Sequence, residues 1–221
     1  MTKFISLFVV CYSLLGSSPP VLADNRLDAA ATPAQSTATL LVVGDSLSAA
    51  YNLAEEQGWV FLLDQRLRES PLLQQQSYEV VNASVGGATS GAALQTLPSL
   101  LQKHRPRIVV LEMGANDGLQ GKPVSHVTEN LKHLIEMCRD VEATVVLVGI
   151  RLPPNYGKRY TEPFFNQYAQ LAETYHLPLV PFLLDGVAGN EKLMQADRLH
   201  PTAAAQPLIL ENVWEVLQKV L

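Results

Sequence analysis

Ser46 lies in GDSLS, residues 44–48, where the apolar run LLVV gives way to LSAAYNL, a stretch that reads as the start of a helix. A hydroxyl at that spot can attack a carbonyl only if something takes its proton, because an unassisted alcohol is a weak nucleophile at neutral pH. The far end of the chain offers a base in ADRLHP. Asp197 precedes His200 by three residues, so within one turn its carboxylate can hold the Nδ1–H of the ring and leave Nε2 for a hydroxyl, while Pro201 limits how the turn continues. The other histidines fit plainer roles. His104 and His176 close helical segments, where a cationic side chain favours the helix dipole, and His126 and His133 fall on or near a polar helical face.

Two more stretches carry groups that could receive a developing negative charge. In GANDG the side-chain NH2 of Asn116 can donate to an oxygen, and in NASVGGATS Gly86 and Gly87 let backbone amides approach a ligand where a Cβ would stand in the way. The Ser46 amide, at the start of the expected helix, is a third donor. Each stretch alone has a bland explanation: Ser46 as an N-cap, the Asp-His pair as surface decoration, the glycines and Asn116 as turn residues. Position 48 is Ser, so the GxSxG nucleophile elbow does not apply. Together the four stretches supply nucleophile, base, orienting acid and anion donors, which is the equipment of acyl transfer.

Such groups need one edge to meet on. Apolar, β-branched runs at 39–43, 78–84, 107–114, 143–150 and 177–182 predict five strands. Helical spacing falls between them: Trp59, Phe61, Leu62 and Leu67; Leu94, Leu97, Leu100 and Leu101; Val127, Leu131, Leu134, Ile135 and Cys138; Phe164, Phe165, Tyr168, Leu171 and Ala172; and finally 203–221. Strands without polar alternation, each followed by a helix, predict a three-layer α/β/α sandwich around a mostly parallel sheet of about five strands. In such sheets ligands collect beyond the carboxyl ends of the strands, and all four stretches fall there.

The 221 residues suffice for one well-buried domain, expected over 38–221. Ahead of it, Lys3, the apolar FISLFVVCYSLL and then GSSPPVLA match a signal peptide over 1–23, cut after Ala23, followed by a loose, Ala-rich leader over 24–37. The apolar stretch is short for a membrane span, so a periplasmic or secreted protein with no stable span is expected. Losing residues 1–23 removes Lys3 and no acidic residue, which moves the formal net charge from −5 to −6 and argues against nucleic acid as a partner. It also leaves Cys138 as the lone cysteine, expected to be a buried, inert thiol. No HExxH or Cys/His cluster is present, so neither a metal nor another cofactor is expected.

The blocks GDSLS, Gly87 within NASVGGATS, GAND and DRLH, in that order, resemble those of the SGNH, or GDSL, hydrolases. NAS, LPSLL, NDGL, IRLPPNYGKRY and AQP extend the likeness to the bacterial acyl-CoA thioesterase I, lysophospholipase and arylesterase subgroup, over residues 39–221. The resemblance implies Ser46 as nucleophile, His200 as base and Asp197 as the residue orienting it. It implies an oxyanion hole of the Ser46 and Gly87 amides and the Asn116 side chain, with Gly87 chosen over Gly86 because it stands five residues beyond Asn82. It also makes Asp45 a structural acid beside the nucleophile, and places Leu119, Leu152, Pro153 and Tyr156 along an acyl-chain groove. Two departures are visible: GAND, with Ala115, where relatives often have GGND, and Ala88 where they tend to have Asp. The expected substrates are small acyl or aryl esters, thioesters or lysophospholipids, hydrolysed by a monomer through an acyl-serine intermediate. Carbohydrate O-acetyl esters are an alternative with the same chemistry, and a secreted, non-catalytic lipid-binding protein is an alternative without it.

Overall fold

The computed structural model describes residues 36–70 and 76–221. The expected signal peptide and all but the end of the expected leader lie outside the described residues. Among these described residues five strands form one parallel sheet: β1 (Ser36–Val43), β2 (Gln76–Asn82), β3 (Ile108–Leu111), β4 (Thr144–Val148) and β5 (Leu179–Val180), in the order β2-β1-β3-β4-β5. The described residues also form six α-helices: α1 (Trp59–Glu69), α2 (Ser90–His104), α3 (Ala115–Leu119), α4 (Val124–Asp140), α5 (Lys158–Tyr175) and α6 (Gln206–Leu217).

The central strands are apolar on both faces because both faces are covered. Leu40, Val42, Ile108, Val110, Val146 and Val148 point into a core shared with Trp59 and Leu63 of α1 and Ile209 and Val213 of α6. Their neighbours Leu41, Val43, Val109, Leu111, Val145 and Leu147 point the other way, against Leu97 of α2, Leu131 and Leu134 of α4 and Phe164 and Tyr168 of α5. All of these strand residues are essentially inaccessible to solvent. The result is the expected three-layer sandwich. Cys138 is buried in the second core, and burial pushes its thiol up to about 12, so it stays protonated and unreactive.

The strand order reverses between β1 and β3, since the chain leaves β1 for one side of the sheet and β3 lies on the other. Loops leaving such a pair diverge and open a crevice at their carboxyl ends. Residues 44–48 follow β1 and residues 112–116 follow β3, so the fold delivers Ser46 and Asn116 to the two lips of one crevice.

Several boundaries differ from the sequence expectations. β1 starts at Ser36, within the stretch expected as leader, because it continues to pair with β2 through Ser36↔Gln76 and Thr37↔Ser77. β3 stops at Leu111 rather than 114, and Gly114 turns with φ 121° into α3, a short helix that the GANDG stretch did not announce. β5 is two residues long because Pro178 and Pro181 bracket it, and proline has no N–H for the ladder. The expected closing helix over 203–221 is a single 3-10 turn, Ala203–Ala205, followed by α6. LSAAYNL is not a helix: one turn forms, with the Ala49 N–H donating to the Asp45 carbonyl at 2.9 Å, and left-handed Ala50 (φ 54°) and Asn52 (φ 57°) prevent its extension. Among the described residues no helix is long and apolar enough to cross a membrane.

α3 is pressed onto α5. A Cβ added at Gly118 would lie 2.5 Å from Cδ2 of Leu152 and 2.9 Å from Phe164. Gly118→Ala should therefore overpack this contact and cost about 1–3 kcal/mol in urea unfolding; a variant as stable as the wild type would show that the contact yields freely.

Candidate active site

Ser46 follows the buried end of β1 and is itself half-buried. Its hydroxyl lies 2.9 Å from Nε2 of His200. On the other side of the ring, Nδ1 is 2.7 Å from Oδ2 of Asp197. That acid is held in turn by two backbone donors: the amides of Leu199 and His200 reach its Oδ1 at 2.9 and 3.0 Å. Nδ1 must carry a proton to satisfy the carboxylate, which leaves Nε2 as an acceptor for the Ser46 hydroxyl.

The loop carrying Asp197 and His200 is rigid for local reasons. An antiparallel bridge joins Met194 to Pro201, the Gln195 amide donates to the His200 carbonyl at 2.8 Å, and left-handed Arg198 (φ 58°) reverses the chain between Asp197 and His200. Gln195 also ties this loop to the nucleophile's loop, its Nε2 donating to the carbonyls of Tyr51 (3.0 Å) and Pro201 (2.9 Å) while its Oε1 accepts from Asn52. The Tyr51 ring packs against the His200 ring with centroids 4.2 Å apart. Neither Gln195 nor Tyr51 stood out in the sequence, because neither belongs to a recognisable pattern and their roles exist only once the two loops meet.

Asp197 is ionised over any working pH. Burial opposes its charge, but the hydrogen bonds from the His200 amide, the His200 ring and the Leu199 amide outweigh it and bring the carboxyl down to about 2. Asp45 behaves oppositely. It is fully buried beneath Ser46, and that burial raises it to about 6 against the pull of the Leu47 amide, the His200 charge and Asn116.

The loops that carry the expected anion donors are tied to the nucleophile's loop. The amide of Val85 donates to the Gly44 carbonyl at 3.0 Å, which fastens the loop of Gly87 to the loop of Ser46. Gly87 has φ 77°, and a Cβ on it would meet nothing, so the residue is glycine for its backbone conformation. The Ser46 and Gly87 amides donate to no group among the described residues. Asn116 sits at the start of α3, and its Nδ2 donates to Oδ2 of Asp45 and to the Ala88 carbonyl, both at 3.0 Å. Its neighbour Asp117 anchors the turn: buried at the N-terminus of α2, it accepts from the Ser90 amide (2.7 Å) and hydroxyl (2.9 Å).

The expected groove residues are placed less uniformly. Tyr156 is exposed, and its hydroxyl donates to the Leu119 carbonyl at 3.0 Å, so these two meet beside α3. Pro153 is half-buried, whereas Leu152 is buried against Gly118 and belongs to the core behind the site. Among the described residues no group of three or more His, Cys, Asp or Glu side chains is placed to hold a metal ion.

Residues 42–207 match the GDSL-like lipase/acylhydrolase family. The chain is 49% identical to the esterase TesA of Pseudomonas aeruginosa over 183 residues, 83% of this chain and 89% of that protein. It is 44% identical to an arylesterase of Vibrio mimicus, covering 85% and 92%, and 39% identical to the thioesterase 1/protease 1/lysophospholipase L1 of Escherichia coli K12, covering 83% and 85%. Among solved structures, a crystal structure of TesA, 49% identical, superposes with a TM-score of 0.79 over 83% of this chain and 99% of that one.

The depressed Asp197 carboxyl has a stability consequence with a definite sign. A group whose pKa is lower folded than unfolded stabilises the fold above its ordinary pKa, and that contribution disappears as pH falls through the folded value. Asp197→Asn should therefore be less stable than wild type at pH 7, with the gap closing between about pH 4 and pH 2. Urea unfolding at both ends of that range checks it, and a gap that widens in acid would be the wrong sign.

Proposed function

The chain belongs to the GDSL-like lipase/acylhydrolase family and is an ester-hydrolysing enzyme, and from that premise we propose that Ser46, His200 and Asp197 are its catalytic triad. The observation that carries this reading is the continuous hydrogen-bonded line from Asp197 Oδ2 through both nitrogens of His200 to the Ser46 hydroxyl.

As Ser46 Oγ attacks the ester carbonyl, its proton passes to Nε2 of His200. The carboxylate of Asp197 stabilises the imidazolium that forms. The amides of Ser46 and Gly87 are the oxyanion donors, and Asn116 joins them by turning one Nδ2 hydrogen from the Ala88 carbonyl toward the substrate oxygen while Asp45 keeps the other. His200 then protonates the leaving alcohol or thiol, the C–O or C–S bond breaks, and the acyl group remains on Ser46. Water enters, gives its proton to His200, and the reversed sequence frees the acid and restores the serine.

The substrates of this reading are small acyl or aryl esters, thioesters and lysophospholipids, with the acyl or aryl part lying over Leu119, Pro153 and Tyr156. Leu152 supports that wall from behind. The names of the relatives, an arylesterase and a thioesterase/lysophospholipase, support this range. Export is part of the same reading, supported by the charged, apolar and small-residue order of residues 1–23.

Ser46→Ala should abolish labelling by a fluorophosphonate probe, and labelling that persists would move the nucleophile elsewhere. Asn116→Ala should stay folded and lose roughly 10²–10³-fold in turnover of a p-nitrophenyl ester; unchanged turnover would remove Asn116 from the reaction. A graded series of acyl esters set beside an acetylated glycan tests the substrate class, with hydrolysis confined to the glycan contradicting it.

A further inference from the structure

Glu112 is a buried acid that the proposed reaction does not use. It follows β3 directly, and its amide continues the sheet by donating to the Val43 carbonyl at 2.8 Å. The side chain is fully buried and crosses to the nucleophile's turn. There Oε2 accepts from the Asp45 amide at 3.1 Å and from the Ser48 hydroxyl at 2.9 Å. Its other oxygen, Oε1, is buried with no hydrogen-bond partner.

The turn is built around this carboxyl. A Cβ at Gly44 would fall 2.6 Å from Glu112 Oε2 and 2.8 Å from the Ser48 hydroxyl, and Gly44 does not have a left-handed φ. The glycine of GDSLS is therefore there to leave room, not to permit an unusual backbone. An apolar side chain of similar volume would fill the same space without the desolvation penalty of a buried acid. It would also orphan the Asp45 N–H and the Ser48 O–H, which have no other acceptor among the described residues.

We propose that Glu112 is a positioning residue: by holding the Asp45 amide and the Ser48 hydroxyl it fixes the turn that presents the Ser46 amide and hydroxyl, and through the Asp45 carboxylate it keeps Asn116 beside them. The proposal rests on the triad and oxyanion roles given above. Glu112 does this work as a neutral acid. An ionised carboxylate would leave Oε1 charged, dry and unpaired next to Asp45, and burial together with the Asp45 charge pushes Glu112 well above the usual carboxylate range. Of the other titratable groups near the pair, Tyr168 of α5 donates its hydroxyl to the Met113 carbonyl, Asp117 of α3 is acidic, and His200 bears on Asp45 but not on Glu112, so no cation offsets a charge on Glu112.

The experiment uses the full chain as wild type, Glu112→Gln and Glu112→Leu. Wild-type turnover of a p-nitrophenyl ester and its labelling by a fluorophosphonate come first; their failure would reject the serine-hydrolase reading and is separate from the outcomes for Glu112. Given an active wild type, Glu112→Gln keeps an acceptor without a charge and should retain kcat within about fivefold, with the same pH profile. Glu112→Leu should lose about 10²-fold in kcat, the scale of a misplaced oxyanion donor, with KM little changed. A folded Glu112→Leu with wild-type kcat overturns the proposal. So does a Glu112→Gln that fails to fold or falls as far as Glu112→Leu. Should Glu112→Leu not fold, 13C NMR of the Glu112 carboxyl in wild type, assigned against Glu112→Gln, decides: a protonated resonance that stays put between pH 5 and pH 8 supports the proposal, and a carboxylate resonance overturns it.

Discussion

One hydrogen bond, 2.9 Å between residues 154 positions apart, is the constraint that the rest of this protein serves. Ser46 and His200 belong to opposite ends of the chain, and bringing them together means ordering everything between. The sheet does most of this. β1 ends where the hydroxyl is needed, the reversal of strand order between β1 and β3 opens the crevice, and the closing loop descends on that crevice just before α6. What remains is orientation, and there the short contacts matter: the Met194–Pro201 bridge, the Gln195 clasp and the Tyr51 ring against the imidazole all limit how far His200 can swing. A displacement of the base by even an ångström is costly in such a reaction, which is why so many weak contacts are spent on one ring.

The site places three carboxyl groups in unlike surroundings and so gives them unlike charges. Asp197 is partly exposed, receives three hydrogen bonds and stays ionised, as an imidazolium partner requires. Asp45 is buried and lifted to about 6, yet it accepts from the Leu47 amide and from Asn116, so its charged form has the partners it needs. Glu112 lies deeper still, with one oxygen unpaired. The chemistry at the surface of the crevice thus sits on a polar floor, and that floor, more than the apolar core, sets where the donors point.

Much of this was legible in the sequence. The apolar, non-alternating runs predict the five parallel strands, and the loop stretches name Ser46, Asp197 and His200, which the structure joins by hydrogen bonds, and Asn116, which it bonds to Asp45. The errors share one cause. LSAAYNL has the composition of a helix, and the GAND stretch that of a loop, but left-handed Ala50 and Asn52 flank a segment clasped by Gln195, and Gly114 turns beneath Tyr168 and Phe164 of α5, contacts that composition does not reveal. The family resemblance places Leu152 along the groove, and the structure buries it against Gly118, whose missing Cβ leaves it room. Glu112 did leave a trace. A lone acid inside RIVVLEMG is the kind of break in an apolar pattern that marks a buried polar contact, but its partners, Asp45 and Ser48, lie in a different block and the sequence does not show the pairing.

In the proposed mechanism Nε2 of His200 is free to take the Ser46 proton because Asp197 claims the other nitrogen. Nitrogen-15 NMR of the His200 ring in the neutral enzyme tests this most directly. The proton is expected on Nδ1, with a bare Nε2 hydrogen-bonded by the serine. A ring carrying its proton on Nε2 would contradict it, since that tautomer could not act as base toward Ser46.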